Sequence, residues 1–183
     1  METVDRLVII SELTRRDRNI GKTALMKFLY FLQTVFKVPL GYDYSIYTYG
    51  PFSQTVMSDI EVADCLGYLC ISSIYYPNGM SGYQLSISPN GESLIHKHND
   101  IVSKYSGPIE NIITTLSSKN ARDLELLSTI VYVQNSFLEN GWDTSTDEIC
   151  CTVKQIKPHF SKETIQAAYY ELINYKYISS RSN

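Results

Sequence analysis

From Val38 to His96 the chain contains no lysine and no arginine. That gap spans a candidate helix and the hairpin pattern after it, the two parts with which a winged helix meets DNA. DNA binding depends on Lys and Arg releasing counterions at phosphates. Base readout leans on Arg, Lys, Asn and Gln. The helix in question carries Asp59, Glu61 and Asp64 instead. Like charge against phosphate costs binding, so this pair of elements is a poor DNA reader. The net charge of −3 adds no general affinity for nucleic acid or an anionic membrane.

Other absences narrow the class further. No apolar run approaches the length of a membrane span, and METVDRLVII lacks the basic, apolar, small-residue plan of a signal peptide. A cytoplasmic location without membrane association is the expectation. Cys65, Cys70, Cys150 and Cys151 show no CxxC spacing, which disfavours zinc and leaves buried reduced thiols as the reading. His96 and His98 are two apart, not on one helix face, and His159 stands alone. No Ser/His/Asp or Cys/His set stands out. Gly21-Lys22-Thr23 resembles the end of a phosphate-binding loop, but the Gly needed five positions upstream is Arg16. Asp59, Glu61 and Asp64 as paired carboxylates across a cleft compete with a solvated helix face, and the face is the ordinary outcome. The chain therefore reads as no enzyme, with no catalytic residue, cofactor or metal.

What is present is an ordinary globular composition, 44% hydrophobic and 19% charged over 183 residues, enough for a real core. Apolar positions 4, 7, 8, 10 and 13 predict a short helix over Val4–Leu13. RRDRNIG (15–21) is a polar break before a strong helix, Lys22–Phe36, which Pro39 and Gly41 end. Tyr42–Tyr49 alternates as a strand, and Gly50-Pro51 reads as a turn. Ser53 is a candidate N-cap for a helix with Val56, Ile60 and Ala63 on one face. A strand over Tyr68–Tyr76, a turn at Pro77-Asn78-Gly79 and a return strand over Gly82–Ile87 make the hairpin. Ser88 and Pro89 open a helix to about Tyr105, and Gly107-Pro108 breaks the chain before another over Ile109–Leu116. Three more helices follow: Ala121–Phe137, one behind the capping box Ser145-Thr-Asp-Glu148, and one capped by Ser161 and ending near Tyr175.

The two ends echo each other. VDRLVIISEL, a helix, then PFSQTVMSDIEVADCLGYLCISS can be laid beside LELLSTIVYV, a helix, then HFSKETIQAAYYELINYKYISSR. Both third helices start at Phe-Ser and end at a Tyr-Leu or Tyr-Ile pair. A three-helix pattern used twice, with the second wing cut short, competes evenly with convergence on a common helical pattern.

KTALMKFLYFLQ (Lys22–Gln33), followed by YTYGPFS (Tyr47–Ser53), resembles the Panacea-type antitoxin domains and the related YwgA-like proteins. Those families carry a K-L-x-K-L-x-Y-x-x-Q-like helix and a Tyr-Gly-Pro turn. The match covers roughly residues 5 to 105, and Thr23-Ala24 stands where the motif has Leu. The resemblance implies a helical, winged-helix-related fold. Its antitoxin branch implies a toxin-neutralising or adaptor role, with a toxin as the partner. Its YwgA-like branch implies no settled activity.

The expected fold is mainly α (α+β): a winged-helix-like core with a small β-hairpin wing over 1–105, and a helical extension over 106–183 that a degenerate second repeat would explain. The expected function is a non-catalytic regulatory module that binds a protein partner. Its interface would comprise Asp59, Glu61, Asp64, Tyr75, Tyr76 and Met80, because neutral aromatics and Met suit protein interfaces and some of the 15 tyrosines must lie at the surface. The competing reading is a winged-helix transcriptional regulator that contacts nucleic acid weakly through the basic loop at Arg15, Arg16, Arg18 and Lys22.

Overall fold

The computed structural model describes residues 1–75, 79 and 81–179. In chain order its elements are α1 (Thr3–Arg16), α2 (Lys22–Thr34), β1 (Ser45–Tyr47), β2 (Gly50–Phe52), α3 (Gln54–Cys65), β3 (Leu69–Tyr75), β4 (Ser81–Ile87), α4 (Pro89–Lys97), α5 (Asn99–Lys104), α6 (Ser106–Leu116), α7 (Ala121–Asn140), α8 (Thr146–Ile156) and α9 (Lys162–Asn174). The described chain is thus mainly helical, with two small antiparallel hairpins, β1–β2 and β3–β4. No helix among the described residues is long and apolar enough to cross a membrane.

The chain divides into two compact units that are not consecutive in sequence. The first holds Met1–Tyr44 and Ser53–Ser118; the second holds Ser45–Phe52 and the chain from Lys119 onward. In the first unit α1 is the central helix. It packs against α2, α3, α4, α5, α6 and β4. Being surrounded, it buries every residue from Leu7 to Thr14 rather than one stripe, including Ser11 and Glu12. The β3–β4 hairpin is regular from Leu69↔Ile87 to Tyr75↔Ser81. A bridge from Gly21 to Gln84 extends it on the β4 side, with the Leu85 N–H donating to the Ile20 carbonyl at 2.9 Å.

The second unit repeats the plan of a central helix. α7 buries Leu124 to Val131 without interruption, and α8, α9 and β2 pack against it. Its hairpin is borrowed from between α2 and α3, pairing Ser45↔Phe52, Ile46↔Pro51 and Tyr47↔Gly50. Gly50 and Pro51 therefore lie in strand β2, and the turn falls two residues earlier, at Thr48-Tyr49. Gly50 adopts φ +86°, and a Cβ there would stand 3.0 Å from Ser128 Oγ and 3.2 Å from the Glu125 carbonyl. A side chain is excluded both by the backbone conformation and by α7.

Other local expectations meet the structure unevenly. Ser88 and Ser161 cap α4 and α9 through their hydroxyls. Ser145 precedes α8 but forms no capping bond; its hydroxyl donates to Asp143 Oδ2 at 3.0 Å. The helix expected from Ser88 to about Tyr105 is interrupted at His98, where ψ reaches +39°. Gly107 and Pro108 sit inside the first turn of α6, where a missing N–H costs nothing.

Candidate functional site

The acidic helix α3 turns Val56, Asp59, Ile60 and Ala63 inward. Asp59 is 5% exposed and so does not belong to a solvated acidic face. Arg6 Nε donates to Asp59 Oδ2 at 2.7 Å, and the Tyr42 hydroxyl donates to the same oxygen at 2.8 Å. The Arg6 guanidinium also lies 5.3 Å from the Tyr42 ring centroid. Burial, and then the negative charge of Asp59, push the Tyr42 phenol well above its ordinary range. The hydrogen bond to Asp59 leads the causes that raise Arg6. The cluster is a closed structural triad tying α3 to α1 and to the segment after α2. Sequence spacing could not reveal it, because Arg6 and Asp59 stand 53 residues apart.

That leaves Glu61 and Asp64 exposed on α3, beside Val62 at 39% and Leu66 at 53% exposure. Asp64 has a local task as well: its Oδ1 accepts the Ile71 N–H at 3.2 Å, at the start of β3. Tyr75, at the end of β3, is 82% exposed. Tyr76 and Met80 lie outside the described residues. The structure thus brings Glu61, Asp64 and Tyr75 onto exposed positions of the α3–β3 region and takes Asp59 out of it.

Of the four residues expected in a basic loop, Arg15 and Arg16 lie instead in the last turn of α1, where carboxylates meet them. Glu12, fully buried, is met by Arg15 Nη2 and by Arg16 Nε, each at 2.6 Å. Arg16 also pairs with Glu110, and Arg15 approaches Glu92 at 3.8 Å. The hydrogen bond to Glu12 is the first cause holding Arg16 above its ordinary value. Arg18 is exposed, and its carbonyl accepts Gln84 Nε2 at 3.0 Å. Lys22 Nζ lies 4.6 Å from the Tyr83 ring centroid. The Glu12–Arg15 and Glu12–Arg16 spacings of three and four residues were a readable helix signal. Glu110 and Glu92 were not.

One motif residue, Gln33, and one residue outside any motif, Lys157, acquire structural roles. Gln33, the last residue of the Lys22–Gln33 motif, donates from Nε2 to the Tyr42 carbonyl at 2.7 Å and accepts the Tyr42 N–H at 2.8 Å, folding the segment after α2 back onto it. In the second unit Lys157, nearly fully buried, lies 2.8 Å from Glu125 Oε1. Lys157 Nζ also donates to the Tyr47 carbonyl at 3.2 Å and to that of Thr48. This buried cation is what holds the Tyr-Gly-Pro hairpin on α7, with the exposed His159 at 3.5 Å from the same carboxylate. No sequence pattern marked Glu125 or Lys157. Nearby, Cys150 is buried, and burial is the first cause pushing its thiol up to about 11. Cys65, Cys70 and Cys151 are exposed rather than buried.

No family model matches the chain. It is similar to the protein named "Uncharacterized protein YwgA" of Bacillus subtilis (strain 168), at 27% identity over 151 residues, which is 82% of this chain and 84% of that one. An aligned stretch of that length extends past the 5–105 region, so the likeness includes part of the second unit. It supports the YwgA-like side of the resemblance and gives no support to the antitoxin side.

Proposed function

We propose that this chain is a non-catalytic regulatory module of the cytoplasm whose first unit is a winged helix turned to protein binding. The order α1, a one-residue bridge at Gly21, α2, α3 and the β3–β4 hairpin is what a winged helix would require. α3 stands in the position of its reading helix and β3–β4 in that of its wing. The observation that carries the function is electrostatic. The stretch from Val38 to His96, which holds α3 and the β3–β4 hairpin, lacks Lys and Arg, while it exposes Glu61, Asp64, Val62, Leu66 and Tyr75. A surface of this kind fits a basic protein and opposes a phosphate backbone. The finer reading, an antitoxin or adaptor, rests on the Lys22–Gln33 helix and the Tyr49-Gly50-Pro51 motif alone.

The test is a kinetic comparison with the partner recovered from the native cell. Opposite charge steers encounter, and an exposed aromatic supplies contact area. Glu61→Gln with Asp64→Asn is expected to lower the association rate and flatten its salt dependence. Tyr75→Ala is expected to raise the dissociation rate, with a loss of about 2 kcal/mol if Tyr75 sits centrally. Tight binding to one DNA sequence, lost on changing the exposed Gln54, Thr55 or Ser58, would replace this reading with the transcriptional one.

A further inference from the structure

Among the described residues, the wing is paired beyond the hairpin on its β4 side and has no strand neighbour on its β3 side. The Leu85 N–H points away from β3, to the Ile20 carbonyl at 2.9 Å. Its register partner Ile71 points its own N–H away from β4, to Asp64 Oδ1 at 3.2 Å. Ile71↔Leu85 is therefore a pair whose main-chain groups face outward. By the alternation of an antiparallel ladder, Ser73 and Tyr75 also face outward from β3. The register is unbroken from Leu69↔Ile87 to Tyr75↔Ser81, so no bulge disturbs that alternation. Among the described residues β3 has β4 as its only strand neighbour.

Edge strands are ordinarily guarded by charge, proline, a bulge or great shortness. β3 is LCISSIY, seven residues without a charge or a proline. Cys70, Ser72, Ser73 and Tyr75 along it are exposed. Asp64 satisfies one outward N–H; among the described residues no other main-chain partner meets the outward side of Ser73 or Tyr75.

Resting on the reading of α3 and the wing as a protein-binding region, we infer that β3 receives an extended segment of the partner as an added strand. Main-chain hydrogen bonds to Ser73 and Tyr75 would supply the attachment. A Lys or Arg on the partner strand would meet Asp64 and Glu61. Charge decides the occupant. A second copy of this chain would bring its own Asp64 and Glu61 to the edge, and nothing from Val38 to His96 would neutralise them. A basic extended peptide brings the missing cation.

The test uses the full chain and a fluorescein-labelled nonapeptide, Lys-Arg-Thr-Val-Thr-Val-Thr-Arg-Lys, read by anisotropy. A second probe has Glu at the four basic positions. The basic probe is expected to bind at least tenfold more tightly than the acidic one, and to slow amide exchange at Ser73 and Tyr75 selectively. N-methylation of alternate probe amides should abolish binding in one of the two methylation registers and spare it in the other. Ser73→Pro should weaken binding tenfold or more, because proline is tolerated on an outward-facing edge position but removes the donor. Asp64→Asn with Glu61→Gln should erase the preference for the basic probe. Failure of the basic probe to bind, equal loss in both methylation registers, unchanged exchange at Ser73, or a dimer whose interface protects Ser73 and Tyr75 would each overturn the inference. A native partner weakened by Tyr75→Ala but indifferent to Ser73→Pro would overturn the added strand alone and leave the protein-binding reading standing.

Discussion

At the scale of single residues, a few buried charges, Glu12, Asp59, Glu125 and Lys157 among them, carry structural roles. Asp59 is the clearest case. Truncating it leaves the Arg6 guanidinium, 15% exposed at its side chain, and the buried Tyr42 hydroxyl without their shared acceptor. Removing one partner of a buried ion pair costs about 3–5 kcal/mol, far more than losing an exposed pair. Asp59→Ala is expected at the low end of that range, about 3 kcal/mol, because Arg6 keeps some access to water. Asp59→Asn retains an acceptor oxygen and should cost less. Urea unfolding of both variants checks this; an Asp59→Ala variant as stable as wild type would return Asp59 to the surface role. These buried charges also explain what could be read from sequence and what could not. Glu12 with Arg15 and Arg16 obeys helix spacing and was legible. Asp59 with Arg6, and Glu125 with Lys157, depend on contacts across 53 and 32 residues, which no local pattern encodes.

At the scale of elements, the long helices were legible because apolar residues recur with the helix period and are closed by Gly, Pro or a capping hydroxyl. Three-residue strands carry too little pattern, and that is why Gly50-Pro51 reads as a turn while it forms β2. The echo between the two ends also has an element-level counterpart. α3 ends with Leu66, Gly67 and Tyr68 donating to Val62, Asp64 and Ala63. α9 ends with Tyr175, Lys176 and Tyr177 donating to Glu171, Ile173 and Leu172, the same offsets in the same order. The left-handed position is Gly67 at φ +69° in one and Lys176 at φ +60° in the other. Both ends close with the same left-handed C-terminal motif, the ordinary way for a helix to stop. The motif gives an asymmetric prediction. Lys176→Gly relieves a left-handed non-glycine and is expected to raise stability by up to about 1 kcal/mol, whereas Gly67→Ala should lower it by about 1 kcal/mol. Thermal unfolding of the two variants reads both signs; a destabilised Lys176→Gly protein would show that the lysine side chain has a role of its own.

At the scale of the whole molecule, the two units are woven by one short loan. Ser45–Phe52 leaves the first unit's chain and joins the second. There Lys157 takes the Tyr47 and Thr48 carbonyls, and Gly50 lies against Ser128 and the Glu125 carbonyl. The Tyr-Gly-Pro motif therefore builds the second unit, although it lies in the first third of the sequence. A cut between Ser118 and Lys119 follows the helical boundary but strips the second unit of its hairpin. Lys157 would keep Glu125 at 2.8 Å and lose both carbonyls, leaving a buried ammonium under-satisfied. The flank of α7 at Glu125, Ser128 and Thr129, now buried, would lose the cover of Gly50. Residues 119–183 alone are expected to unfold with a broad, weakly cooperative transition in urea. The same residues preceded by 44–53 through a Gly-Ser linker should recover a sharper transition at higher denaturant, and Lys157→Met in that chain should reverse the gain. If 119–183 unfolds at the same midpoint and slope with and without the hairpin, the segment 45–52 is dispensable, and the buried Glu125–Lys157 pair suffices without the carbonyls it now holds.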